Sequence, residues 1–184
     1  MRFFVVISIL CLLYACTKDR VDSLDKKNNH SNTNTDTGQV KNGILFINEL
    51  LSKGAGSDPD WFEIYNPNSF AVTIDSGELF ATDDFGNLSK NTLPAFTFPP
   101  KSYTQILCGG QAGAIVNGVM YVSFNFSSSG EEVALCTKDS AGQFIFIDSV
   151  RFGPIPEGES YGRVPDGSSN WQIISSPTPG ATNQ

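Results

Sequence analysis

The stretch Asp60-Trp61-Phe62-Glu63-Ile64-Tyr65-Asn66-Pro67 constrains this chain more than any other. Side chains alternate along an extended backbone, so Trp61, Glu63 and Tyr65 share one face and Phe62 and Ile64 the other. A strand that is apolar on both faces belongs inside a sheet, with both faces covered. Glu63 then cannot rely on water and needs a partner within the protein. Asn66-Pro67 ends the strand, because proline has no N–H for a ladder and fixes its own φ.

From Gly43 onward the texture is uniform. Short β-branched and aromatic runs such as Ile44–Ile47, Ala71–Ile74, Phe96–Phe98, Met120–Phe126, Val133–Cys136 and Phe144–Val150 are separated by Gly, Pro, Asn, Asp and Ser. No stretch keeps an apolar 3.6-residue period long enough for a helix. The pattern predicts an all-β fold, an antiparallel sandwich or barrel, over residues 43–184. That length suffices for one core.

The amino end has a different logic. Met1-Arg2 is a basic start, Phe3–Leu13 is an apolar run too short to span a bilayer, and Leu13-Tyr14-Ala15-Cys16 follows. This resembles the lipobox of bacterial lipoproteins, with Tyr14 bulkier than usual there. The resemblance implies a signal peptide over 1–15 and a diacylglycerol on Cys16. Without it, the segment reads as an ordinary secretory signal and Cys16 as a spare thiol. Residues 16–42 are rich in Asn, Thr, Ser, Asp and Lys, with too few apolar groups to offset the entropy of ordering, so a disordered tether is expected. Such a tether reaches roughly 30 Å. Lys18-Asp19, with Asp22 and Asp25, faintly resembles the acidic signal that sends some Bacteroidota lipoproteins to the outer face. Those acids are scattered and read more simply as solubilising charge. The expected location is the bacterial cell envelope, as an outer-membrane lipoprotein, with surface exposure the further reading that the acidic signal would add.

Charge narrows the partners. Residues 43–184 carry six basic and fifteen acidic side chains, a net −9. Such a head repels nucleic acid and anionic lipid headgroups, leaving the lipid anchor as its membrane contact. Cys108 and Cys136 both end apolar segments. An exported domain permits one disulfide between them, but both fit equally well as buried thiols.

Several blocks in order resemble the lamin-tail domain. They are Ile47-Asn48-Glu49-Leu50, Asp60–Pro67, Ser129–Leu135, Asp148–Gly153, Ser160–Gly167, and Trp171 with Ser176–Asn183. The resemblance covers Gly43 to Asn183 and implies an immunoglobulin-like antiparallel β-sandwich. No coiled-coil rod accompanies it here. Arg163 is the one cation in a glycine-rich closing segment, and a guanidinium fork matches a carboxylate. A fold-fixing ion pair with Glu63 or Glu132 is expected, with anion binding by Arg163 the alternative. Pro177 and Pro179 suggest an extended exit along a sheet edge.

Catalytic equipment is sparse in the sequence. The only histidine, His30, lies in the tether, so the head cannot build a Ser-His-Asp or Cys-His arrangement. Paired carboxylates could run glycoside hydrolysis, but structural and solvated acids account for Glu49, Asp60, Glu63, Asp83 and Asp84 more simply. Calcium is the sharper alternative, since Glu49, Asp58, Asp60, Asp83 and Asp84 sit at strand ends where sandwich loops converge. No spacing matches a known calcium loop, and no other cofactor is indicated.

The sequence thus points to a non-enzymatic envelope lipoprotein whose head binds or scaffolds a protein or glycan. The alternatives are an accessory subunit of an exported hydrolase or nuclease, and a calcium-dependent glycan-binding module. Glycan binding would need Tyr103, Tyr121 or Phe124 facing solvent.

Overall fold

The structure, a computed structural model, describes residues Gly43–Gln184. The expected signal peptide 1–15, the expected lipidation of Cys16 and the expected tether 16–42 lie outside the described residues, as does His30.

The described residues form an all-strand fold of thirteen strands without a helix. They are β1 (Phe46–Leu51), β2 (Trp61–Asn66), β3 (Val72–Ile74), β4 (Phe80–Thr82), β5 (Asn91–Thr92), β6 (Phe96–Phe98) and β7 (Ser102–Leu107). There follow β8 (Ile115–Val116), β9 (Val119–Tyr121), β10 (Glu131–Lys138), β11 (Phe144–Phe152), β12 (Ser160–Arg163) and β13 (Trp171–Ile174). One sheet runs β13-β12-β1-β2-β7-β9-β8, a second β11-β10-β4-β5, and β3 pairs with β6 alone. All pairings are antiparallel except β7 with β9. The expected antiparallel all-β sandwich is what the chain builds, with that one parallel pair.

The focal strand β2 lies inside the large sheet, between β1 and β7. Its Phe62 and Ile64 enter the core with Leu50 and Ile106, opposite Val133 and Leu135 of β10. Asn66 closes the strand by donating its side-chain N–H to the carbonyls of Phe98, at 3.0 Å, and Pro99, at 2.8 Å. The Asn-Pro stop is thus a tie to the end of β6, in the β3–β6 pair, as well as a turn.

Met120–Phe126 alternates as the sequence suggests, with Val122, Phe124 and Phe126 buried. The strand ends at Tyr121, but backbone hydrogen bonds continue beyond it. They run from the Val122 N–H to the Leu107 carbonyl at 2.9 Å, and from the Gly110 and Gly109 N–H groups to the carbonyls of Val122 and Phe124 at 2.9 and 2.8 Å. Alternate burial thus outlasts the regular ladder.

Two bulges re-aim side chains. In β1 the register against β2 shifts between Ile47 and Glu49. The extra residue, Asn48, then donates to Asp166 at 2.9 Å and accepts from the Gly167 N–H at 3.0 Å. In β11 the register against β10 shifts between Phe146, opposite Cys136, and Asp148, opposite Leu135. Strict alternation would place Asp148 on the same outer face as Phe144 and Phe146. The bulge sets it opposite a core-facing leucine instead, turned towards the other sheet.

Candidate functional site

Three clusters carry the polar and aromatic side chains that could do more than pack. The first lies on the outer face of the large sheet. Glu49 and Glu63 stand opposite each other across β1 and β2, and both are fully buried. Residues 177–183 cross over them as a strap. Thr178 donates its N–H to Glu49 at 3.0 Å and its hydroxyl to the same carboxyl at 3.0 Å. The Ser160 hydroxyl also donates to Glu49. Gly180 donates its N–H to Glu63 at 2.5 Å, and Asn183 donates its side-chain N–H to the carbonyls of Asn48 and Arg163.

Burial pushes Glu63 up to about 8, and the neighbouring carboxyls of Glu49 and Asp166 act in the same direction. The Gly180 N–H opposes the shift without cancelling it. The other carboxyl oxygen of Glu63 is buried and finds no protein partner. Glu63 therefore favours its protonated form at neutral pH, and the partner that the burial argument asked for is the Gly180 N–H rather than a cation.

The expected ion pair of Arg163 with Glu63 or Glu132 is corrected by the structure. Arg163 is buried and makes a two-pronged contact with Asp148, at 3.0 Å to each carboxylate oxygen. Its Nε donates to the Ile47 carbonyl at 2.8 Å, another N–H donates to the Ser168 carbonyl, and its guanidinium lies 4.6 Å from the Trp171 ring centroid. Asp148 also accepts the Ile47 N–H at 2.7 Å. Burial raises the Asp148 carboxyl above its ordinary value although Arg163 and two N–H donors pull it down. Glu132 pairs instead with Arg151 at 2.7 Å, where Arg151 is largely exposed. The β11 bulge is the reason: it brings Asp148 to Arg163, whereas Glu132 faces the outer side of its own sheet.

The second cluster is an open recess of about 490 Å³ lined by Asp83, Asp84, Lys90, Glu131 and Glu132. Asp83 meets Lys90 in an ion pair at 2.6 Å. Asp84 accepts the Gly86 N–H at 2.8 Å, and Glu131 accepts the Ser127 N–H at 2.8 Å. The suggested calcium set does not assemble. Glu49 is taken by the strap, Asp58 is exposed in its loop, and Asp60 accepts the Phe126 N–H at 2.9 Å. Only Asp83 and Asp84 reach the recess. Among the described residues no group of three or more His, Cys, Asp or Glu side chains is placed to hold a metal ion. Glu49, Asp60 and Asp84 answer nearby backbone donors and Asp83 answers Lys90, so strand-end position alone does not make ligands converge.

The third cluster is aromatic and adjoins the second. On the outer face of the four-stranded sheet, Phe80, Ala134 and Cys136 pack beneath Phe85, Leu88 and Phe144. Phe85 and Phe146 meet edge to face at 5.2 Å, and Phe146 is 47% exposed. Glu132 joins the two clusters, accepting the Phe85 N–H at 2.6 Å while holding Arg151, whose guanidinium lies 4.8 Å from the Phe85 ring centroid.

The aromatics suggested for sugar stacking fare differently. Phe124 is buried against Phe62. Tyr103 is half-buried, stacks on Tyr65 at 4.8 Å and donates its hydroxyl to Asp166, and burial pushes it up to about 12. Tyr121 is half-buried beside Gly110. Cys108 and Cys136 are both free and buried, which removes the disulfide. Cys108 packs in the central core, whereas Cys136 faces outward under Phe80, so they belong to different clusters.

Sequence reasoning missed Asp148 and Asp166, the N–H donors of the strap, and the Phe85–Phe146 face. A signal existed for Asp148, an acid closing the apolar run Phe144–Ile147. No protein-family model matches the chain, and no curated protein matches it.

Proposed function

We propose that this chain is a non-enzymatic cell-envelope lipoprotein. Lipidation at Cys16 anchors it, residues 17–42 lift the head from the membrane, and a lamin-tail-like, immunoglobulin-like sandwich binds or scaffolds a protein partner. The observation that carries the reading is the half-open aromatic face of Phe85, Phe144 and Phe146, since a surface kept partly apolar in a head of net −9 marks an interaction site. Glu49, Glu63 and Asp60, three of the carboxyls that could have served chemistry or calcium, are occupied in fixing the strap and a loop, which favours binding over catalysis. A protein partner is preferred to a glycan because Phe124 is buried and Tyr103 is committed to Tyr65 and Asp166.

Two measurements test this reading. Incorporation of labelled fatty acid should require Cys16, so C16A should carry no label and leave the membrane fraction. Reversible cross-linking in native membranes, followed by purification of the anchored protein, should recover a stoichiometric protein partner without hydrolytic activity. A hydrolase or nuclease recovered in that position would replace the scaffold by the accessory-subunit reading.

A further inference from the structure

We infer that the outer face of the four-stranded sheet, continued by the open edge of β11 at Phe144–Ile147, docks an extended basic polypeptide segment that joins the sheet as an additional strand. This names the partner class for the binding reading above and rests on it.

The first support is the edge itself. β11 has nine residues, the longest strand of the fold, and ends its sheet. Among the described residues only β10 pairs with it. The strand contains neither proline nor glycine. At Asp148 the other sheet closes in through the Ile47 N–H, and the bulge twists the ladder there. The stretch before it, Phe-Ile-Phe-Ile, contains no charged residue and no proline, two of the devices that usually blunt an edge. Its outward N–H and C=O groups offer a template for one more strand.

The adjoining face supplies side-chain contact. A strand laid beside β11 projects every second side chain over the outer face, next to Phe144 and Phe146. Phe146 is 47% exposed and rests on Phe85, so an aliphatic residue of the partner covers surface that is now wet.

Charge then selects the partner. Past Phe85 lies the recess of Asp83, Asp84, Glu131 and Glu132. Lys90 pairs with Asp83 and Arg151 with Glu132, which leaves Asp84 and Glu131 without a cation among the described residues, while Lys138 lies 5.0 Å from the Phe144 ring centroid. A lysine or arginine of the partner meets complementary charge there. Anionic lipid, nucleic acid and a second copy of this head would each bring like charge to a surface of net −9. A glycan has no series of alternating N–H and C=O groups to match the edge.

The test uses the full chain in detergent and four capped peptides of about ten residues, long enough to overlap a four-residue edge. In each, Thr fills every second position. The positions between, which share one face, alternate Lys and Val in the first, Glu and Val in the second and Lys and Gly in the third; the fourth is the Lys/Val peptide with every second amide N-methylated. The Lys/Val peptide should bind and slow hydrogen exchange at the amides of Phe144–Ile147 by about tenfold or more, while the other three bind at least about tenfold more weakly. F146S should weaken Lys/Val binding by about fivefold or more, and I173S, which alters a comparably exposed residue on β13, should leave it unchanged. Because the N-methylated peptide tests strand addition on the unaltered protein, a folding defect in F146S cannot decide the outcome.

Equal binding by Lys/Gly would reduce the effect to diffuse charge, and equal binding by the N-methylated peptide would exclude strand addition; either overturns the inference. Protection of the same amides by concentration alone would give the edge to a second copy and overturn it as well. If the edge stays silent while native cross-linking still yields a partner, this inference falls and the binding-module reading stands.

Discussion

Glu49 and Glu63 face each other across β1 and β2 with no exposed surface, and no cation bridges them among the described residues. Two acids side by side in a dry place are normally costly. Here backbone and hydroxyl donors hold them, and Glu63 keeps its proton. The pair therefore fastens the C-terminal strap to the middle of the sheet.

This arrangement makes stability depend on pH. Glu63 has its ordinary value of 4.5 when unfolded and about 8 when folded, so the folded form holds an extra proton between those limits. Its contribution is complete below 4.5 and is lost as pH rises through about 8. Across that window the slope from this group is ~1.4 kcal/mol per pH unit. Urea titrations at several pH values should show this slope in the native protein and its loss in E63Q. Identical pH profiles for the two proteins would refute the assignment.

The two arginine pairs should differ sharply. D148N leaves the buried Arg163 charge without its partner and should cost about 3–5 kcal/mol. R163K keeps the charge but loses the fork that also serves Ile47 and Ser168, so it should be far from conservative. R151A, at the exposed pair with Glu132, should cost at most about 1 kcal/mol. Denaturant midpoints of the three variants suffice to rank them.

The strap can be loosened at one residue. Asn183 is buried and serves the carbonyls of Asn48 and Arg163, so N183A orphans both and should cost about 2–3 kcal/mol. Gly162 lies beneath it, where an added Cβ would come within 2.6 Å of both the Asn183 side chain and Ile174. G162A should therefore destabilise through the same contact. A double-mutant cycle that gives purely additive losses would show that the two positions are not coupled.

The thiols offer an independent check on the packing. Burial pushes Cys136 up to about 11 and Cys108 further still. Both should resist a thiol reagent in the native state, and both should react without prior reduction once the chain is unfolded. Recovery of no free thiol after unfolding would contradict the separate placement of Cys108 and Cys136.

The suggested extended exit through Pro177 and Pro179 is corrected in the same region. The segment does not follow a sheet edge; it crosses β1 and β2, inner strands of their sheet. Proline spacing restricts local backbone shape but says nothing about where acceptors wait. The acceptors, Glu49 and Glu63, lie well over a hundred residues earlier in the chain.

By itself the sequence determined the strand class, the central place of Trp61–Asn66, and the demand that Glu63 have something other than water. Those features are local: alternation, turn residues and the cost of burying a charge all act over a few neighbouring positions. The tertiary structure alone decided that Arg163 meets Asp148, that Cys108 and Cys136 stay apart, and that the strap covers the two glutamates. A single extra residue in β11 reverses which face Asp148 serves. Such a slip leaves no mark in a hydrophobic pattern, because only the partner strand shows where the count of two fails.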